Sequence, residues 1–251
     1  MTVSARTHAL EEAFRRAAAE PGSAGGSPGP GGFVLTRWNP DFEYEIKLAH
    51  PGPVSPAALL EEAVTVLAAG AGVLAGAGRQ AATLRPVYHL AGGSEYSVFE
   101  EDGRRVQKIK THTAVPVGGG RGVHVMRSRE SFETDPRRIA RNTASAVPSG
   151  SLLKERCRTH LLHRPTRTLL QLAATRCSAG TARQFQLEIE YAGHFTHPAD
   201  PPRTPGEQEV LAVLAGLGTA LADADGSRLA FDTETKLEFL RRASGGTATC
   251  P

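Results

Sequence analysis

Several strand-like runs in this chain place ionisable residues at every second position, and each run keeps mostly one sign. Glu43 and Glu45 share one face of FEYEIKL (42 to 48), with Phe42, Tyr44, Ile46 and Leu48 on the other, and Glu188 and Glu190 repeat the pattern in QFQLEIEY. Lys108 with Lys110, Arg127 with Arg129, and Lys154 with Arg156 and Arg158 are the basic counterparts. Alternate residues of a strand share a face about 6.6 Å apart, so two Glu side chains can converge on one hard cation of the Mg²⁺ or Mn²⁺ type. Solvated faces of antiparallel sheets also carry charge, but neighbouring strands there usually mix signs. Segregated Glu pairs and basic runs suit a polar interior that holds a cation against a polyanion.

The overall charge of +3 conceals the same split. Residues 104–183 hold 17 Lys/Arg and 4 Asp/Glu, a local surplus of +13 that leaves −10 for the rest. With 40% hydrophobic residues the chain can build a real core. Val64–Gly78 is too short and too Gly/Ala-rich to span a bilayer, and the N-terminus lacks a signal-peptide apolar block. Cys157, Cys177 and Cys250 form no C-x-x-C and no disulfide framework, which points to a reducing interior.

Residues 6–20 read as a short helix and 21–32 as a Gly/Pro/Ser linker, so the expected organisation is a flexible segment over 1–32 and one domain over 33–251. Ser55 and Pro56 start a helix running to about residue 69. From 82 to 192 short strand-like runs alternate with turn signals, Asp102-Gly103 among them. Residues 135–150 read as a loop carrying Arg137, Arg138 and Arg141. GEQEVLAVLAGLGTALAD reads as an amphipathic helix, and Asp232 or Thr233 can cap a last one over TKLEFLRR. The expected fold is mainly β (α+β): a closed antiparallel eight-stranded barrel with charged inner walls and helices packed outside.

FEYEIKL resembles the E-x-E-x-K opening strand of the triphosphate tunnel metalloenzymes, and LEIE resembles their second metal-binding Glu strand. The ordered series SEYSVFEEDGRRVQKIK, RSRESFETDP, KERCRTHLLHRPTRTLLQL and QFQLEIE is similar to the fungal, protozoan and viral mRNA-capping RNA 5′-triphosphatases over roughly residues 38–192. The resemblance implies Glu43, Glu45, Glu188 and Glu190 as metal ligands for Mg²⁺ or Mn²⁺. It implies Glu43, Glu45, Glu133, Lys154 and Arg156 as catalytic, with Glu133 orienting the attacking water. Lys47, Lys108, Lys110, Arg127, Arg158 and Arg167 would contact the triphosphate. Gln186 stands where family members often carry a third Glu, and Leu169 and Gln171 interrupt their R-x-D-x-T run.

The implied reaction removes the γ-phosphate from the 5′-triphosphate end of RNA, the first step of mRNA capping, with an RNA guanylyltransferase as the corresponding partner and no membrane. The compartment would be the nucleus for a cellular capping enzyme and the cytoplasm otherwise, intracellular in either case. The alternatives are a CYTH-type enzyme acting on tripolyphosphate, thiamine triphosphate or nucleotides, and a non-catalytic binder of polyphosphate or RNA ends. GGGRG (118–122) reads as a hairpin loop rather than a P-loop, because it lacks the Lys-Ser/Thr pair. Nine histidines without ligand spacing argue against zinc, and Trp38 reads as an anchor in the core or lid.

Overall fold

The computed structural model describes residues 34–75, 79–89, 95–101, 103–117, 123–196 and 205–245. The expected helix over 6–20, the linker over 21–32, the 118–122 loop and Cys250 lie outside the described residues. Strands are β1 (Val34–Thr36), β2 (Phe42–Ala49), β3 (Val73–Ala75), β4 (Arg79–His89), β5 (Glu95–Glu101), β6 (Arg104–Pro116), β7 (His124–Glu133), β8 (Val147–His163), β9 (Thr168–Ala179), β10 (Ala182–Thr196) and β11 (Ala230–Asp232). Helices are α1 (Pro56–Gly70), α2 (Pro136–Ser145), α3 (Glu207–Ala222) and α4 (Lys236–Ala243).

Every pairing among the described strands is antiparallel, in the order β1-β10-β9-β8-β4-β5-β6-β7-β2-β11, with β3 added to β8. The sheet is strongly curled. The closed eight-stranded barrel expected from the sequence is met only in part: the curled sheet is open rather than closed. β2 also pairs with β10, from Gln186↔Ala49 to Glu190↔Glu45, so the pairing path turns back on itself. However, β2 meets β7 only from Phe42↔Arg129 to Glu45↔Met126, and from Lys47 onward that edge is taken by β11. The wall is therefore open along part of this seam rather than evenly sealed.

The curl buries both faces of β2 with opposite chemistry. Tyr44, Ile46 and Leu48 point outward into the main core, which they share with Leu170, Leu172, Leu187 and Ile189 of the sheet and with Leu59, Leu67, Leu211, Leu214 and Leu217 of α1 and α3. Fully burying each such aliphatic side chain contributes about 1.5–3 kcal/mol, so the apolar core lies between sheet and helices and leaves the concave face to charge. α3 sits close enough to β2 that a Cβ on Gly218 would meet Ile46 Cδ1 at 2.7 Å.

Helix starts follow the capping chemistry. Ser55 Oγ accepts from the Ala58 N–H at the start of α1, with Pro56 at its first position. The 135–150 segment is not a loop: Asp135 caps α2 with Pro136 at its start, Ile139 is buried against Tyr96 and Val98, and β8 begins at Val147. The last helix is capped by Thr235 rather than by Asp232 or Thr233, because only Thr235 has Glu238 three residues on to complete a capping box. α4 packs Leu237, Phe239 and Leu240 onto Leu152 and Cys177 and so covers one end of the curled sheet.

Candidate active site

Register decides which charges meet. On β2 the outward positions are Tyr44, Ile46 and Leu48, so Glu43, Glu45 and Lys47 face the concave side, where all three are buried. Glu45 stands opposite Glu190, and Lys47 opposite Glu188. From β10 the same face passes through Ala173 and Gln171 of β9 to Arg158 and His160 of β8, and through Thr175 to Arg156. On the other flank Glu43 faces Ser128 of β7, and the alternation continues to Glu130 and Phe132, which oppose Lys110 and Lys108 of β6. Lys110 in turn opposes Glu95 of β5.

Lys110 is the hub of this wall. Its Nζ donates to Glu43 Oε1 at 2.8 Å and to Glu45 Oε1 at 3.3 Å, and lies 3.2 Å from Glu130 Oε1. Burial alone would lower its pKa, but Glu45, Glu43 and Glu130 reverse the balance and hold it well above the usual lysine range. Lys108 pairs with Glu130 and lies 3.8 Å from Glu43, while Lys47 lies 3.3 Å from Glu45. Burial opposes ionisation of Glu130 as well, yet a hydrogen bond shared with Glu43 and the charges of Lys110 and Lys108 lower it to about 2.

Glu188 belongs to a second group. It lies 3.7 Å from Lys154 and 3.5 Å from Lys236, the first residue of α4. Burial would raise its carboxyl, but Lys154, Lys236, Lys47 and Lys110 outweigh burial and hold it well below the ordinary range. The two lysines part ways: Lys236 is raised by Glu188 and Glu95 despite burial, whereas burial, with Lys236 and Arg156 beside it, drives Lys154 well down.

Glu190 is different again. Burial first, then repulsion from Glu43 and Glu45, pushes it up to about 8, and it accepts from Gln171 Nε2 at 2.8 Å. Arg158 Nη1 donates to Gln171 Oε1 at 3.4 Å, so Gln171 links a wall cation to a wall carboxylate. Gln186, on the same strand, is turned to the α4 end, where its amide donates to Asp232 at 2.6 Å and to the Glu234 carbonyl at 3.1 Å.

Three expected residues are not brought into the site. Arg127 alternates with the inward Met126 and Ser128, so it faces outward, lies over the Phe42 ring and donates to Glu207 of α3 at 3.3 Å. Glu133 shares that outward parity. It accepts from the backbone N–H groups of Thr134 and Asp135 and pairs with Arg138 at 3.3 Å, which fixes the entry into α2. Arg167 is in the exposed hairpin turn between β8 and β9 with φ +55°. Glu130, Glu95 and Lys236 take inward places that sequence reasoning missed. The period-2 count from Ser128 would have found Glu130, but nothing in the sequence brings Lys236 to Glu188.

Among the described residues no group of three or more His, Cys, Asp or Glu side chains stands ready as a metal site, and Lys110 Nζ bonds to both Glu43 and Glu45. The donor chemistry nevertheless fits a hard divalent cation. Glu43, Glu45 and Glu190 supply oxygen ligands on the adjacent strands β2 and β10, where burial first and then repulsion from Glu43 and Glu45 raise Glu190. Glu188 is turned instead to Lys154 and Lys236. No described helix is long and apolar enough to cross a membrane.

No family model matches the sequence, and no curated protein matches it. Solved structures share part of the chain trace. HpAC1 from Hippeastrum, an adenylyl-cyclase-type protein with a dominant triphosphatase activity, is 15% identical, with 82% of this chain and 98% of that one covered and a TM-score of 0.44. The PH1012 protein of Pyrococcus horikoshii OT3 is 13% identical, with coverage of 78% and 98% and a TM-score of 0.43. The S. pombe Pct1 RNA triphosphatase, in complex with the Spt5 CTD, is 14% identical, with coverage of 81% and 82% and a TM-score of 0.36. At these identities and scores the likeness is one of chain trace and decides nothing about chemistry.

Proposed function

We propose that this chain hydrolyses the terminal phosphoanhydride of a triphosphate end, in the manner of the triphosphate tunnel metalloenzymes, and that its substrate is the 5′-triphosphate of RNA, as in the first step of capping. The observation that carries the reading is one concave face on which Glu43, Glu45, Glu130, Glu188 and Glu190 alternate with Lys47, Lys108, Lys110, Lys154, Arg156, Arg158 and Lys236. Such a face is too charged to be a packed core and too enclosed to be an ordinary solvent surface. The finer form, a sealed tunnel, requires the β2–β7 seam to close around substrate.

Glu43, Glu45 and Glu190 are the residues that would hold Mg²⁺ or Mn²⁺, which when bound polarises the phosphoryl group and offsets its charge. Lys154, Arg156 and Arg158 on β8, with Lys108 opposite, bind the phosphate oxygens and stabilise charge that spreads in the transition state. Glu130, ionised and facing inward, accepts a hydrogen bond from the attacking water, the role the resemblance gave to Glu133. Water oxygen bonds to the γ-phosphorus, the bond from that phosphorus to the β–γ bridging oxygen breaks, and inorganic phosphate and a diphosphate end leave. No covalent intermediate with the protein is needed.

Phosphate release from triphosphate-ended RNA with Mg²⁺ or Mn²⁺ tests the reading, and Glu45→Gln should abolish it. Wild-type protein that binds the RNA but releases no phosphate with either metal would leave the chain a non-catalytic binder. A second reading, hydrolysis of free tripolyphosphate, is favoured by α4, which packs on Leu152 and Cys177 at one end of the curled sheet and brings Lys236 to Glu188. Markedly faster turnover of tripolyphosphate than of RNA ends would establish that reading instead.

A further inference from the structure

Phe132 leaves 60% of its surface exposed, unlike Tyr44, Tyr96, Tyr191, Phe195 and Phe239, which are fully buried. Its place in the register is the reason to ask what it does. It follows Glu130 by two positions on β7, so it shares the inward face with Glu130 and Ser128, and its cross-strand partner is Lys108. Lys108 Nζ stands 5.5 Å from the ring centroid while also pairing with Glu130 and lying 3.8 Å from Glu43. The ring thus sits directly on the charged wall.

The end of the curl at which it sits is equally defined. α4 covers the end marked by Leu152 and Cys177, and the Leu237 N–H reaches Glu95 at 3.4 Å. Along β6 the residues run from Lys110, opposite Glu95, back through Lys108 toward Arg104, away from α4. On β7 the last pair with β2 is Arg129 with Phe42, so Phe132 stands beyond the end of β2, at the mouth opposite α4. Moving from Glu130 to Phe132 along the strand is a step of about 6.6 Å from the charged cluster toward that mouth.

We infer that Phe132 is the stacking platform for the nucleobase attached to the triphosphate, with Lys108 beneath it receiving the phosphate nearest the sugar. The inference rests on the triphosphate reading above and gives that site its substrate class: triphosphates that carry a base, whether a free nucleotide or an RNA end, in preference to inorganic tripolyphosphate. Every base has a π-face, so one exposed ring accepts any of them and selects for a base without selecting its identity. A chain beginning at that base would leave the mouth beside α2, whose Arg137, Arg138 and Arg141 begin a few residues after Phe132.

Calorimetric titration of the metal-free full chain with, separately, ATP, a triphosphate-ended oligonucleotide and inorganic tripolyphosphate tests the inference, with phosphate release in Mg²⁺ assayed beside it. Phe132→Ala should weaken ATP and the oligonucleotide by roughly 5- to 150-fold, the range of one lost base–aromatic stack, and leave tripolyphosphate within about twofold. Phe132→Leu should fail in the same way, since it keeps apolar bulk without a π-face, and Phe132→Trp should restore binding. Phe132 is exposed and outside the core, and circular dichroism of each variant checks the fold. Equal weakening of all three ligands, weakening of none, or absence of binding by wild-type protein overturns the platform. The outcomes separate the two readings: a base-dependent loss on Phe132→Ala without hydrolysis of any ligand keeps the platform and removes the hydrolase, whereas normal hydrolysis with no base dependence does the reverse.

Discussion

Gln171 Nε2 donates to Glu190 Oε2 across 2.8 Å, between the adjacent strands β9 and β10. The amide orients Glu190 and, through its carbonyl, ties it to Arg158. Partners that orient a ligand shift metal affinity by about 10–100-fold when removed. Gln171→Ala should therefore weaken Mn²⁺ binding by about tenfold, measured calorimetrically with the fold checked by circular dichroism. Unchanged affinity would separate Gln171 from the metal site.

Lys110 compensates the buried Glu43 and Glu45 and the half-buried Glu130 at once. Removing one partner of a buried ionic cluster leaves uncompensated charge and costs about 3–5 kcal/mol. Lys110→Met should lose stability of that order in metal-free urea denaturation, and Mn²⁺ should restore part of it by binding the folded state alone. A metal-free loss below about 1 kcal/mol, the level of a surface pair, would show that the cluster is not strained by losing its cation.

Glu130 and Glu133 separate by face. Glu130→Gln should lower turnover by about 10²–10⁴-fold, the usual range for a lost acid–base or water-orienting group. Glu133→Gln should leave turnover nearly unchanged and slightly lower thermal stability through the start of α2. Steady-state kinetics beside thermal melts distinguish the two, and the reverse order of effects would return the water-orienting role to Glu133.

That contrast shows what was legible beforehand. Period-2 alternation within FEYEIKL and LEIE is local, so the faces of Glu43, Glu45, Glu188 and Glu190 could be read directly. The face of RSRESFE depends on how β7 meets β2, and one residue of register exchanges Arg127 and Glu133 for Ser128 and Glu130. Asp135-Pro136 was a readable helix start, but the Arg-rich run beyond it offered only Ile139 as an apolar anchor, and its burial against Tyr96 is a tertiary contact. Lys236 joins Glu188 only because α4 folds back over the end of the sheet, which no local spacing encodes.

Two inward-facing carboxylates should give the metal-free protein opposing pH dependences. Glu95, held at about 2 against burial by His112, Lys236 and Lys110, has a folded pKa below its unfolded value. Its contribution is present above about pH 4.5 and is lost as pH falls toward 2. Glu190, raised to about 8, binds its proton in the folded state where the unfolded chain has released it. Its effect is a loss of stability as pH rises from about 4.5 toward 8. Urea denaturation across pH should show Glu190→Gln flattening the decline on the alkaline side and Glu95→Gln flattening the loss on the acid side. A Glu190→Gln variant with the wild-type slope between pH 5 and 8, the window about which these pKa values lie, would mean that neither burial nor the charges of Glu43 and Glu45 hold the Glu190 proton.

The helix that covers one end of the sheet offers the sharpest link between packing and site. Phe239 is fully buried among Leu152, Cys177, Leu237 and Leu240, and the same short helix begins with Lys236 beside Glu188. Replacing a buried Phe by Ala costs about 3–5 kcal/mol when the site cannot collapse, and a helix of two turns has little intrinsic stability to resist this loss. Phe239→Ala should therefore release α4 locally before the sheet unfolds, and hydrogen exchange should accelerate over Lys236–Ala243 while the protection of β2 and β10 persists. Losing Lys236 with the helix should also weaken triphosphate binding, and Lys236→Met should reproduce that weakening without the change in exchange. If Phe239→Ala instead accelerates exchange in β2 and β10 together with α4, the helix is part of the cooperative core rather than a separable cover.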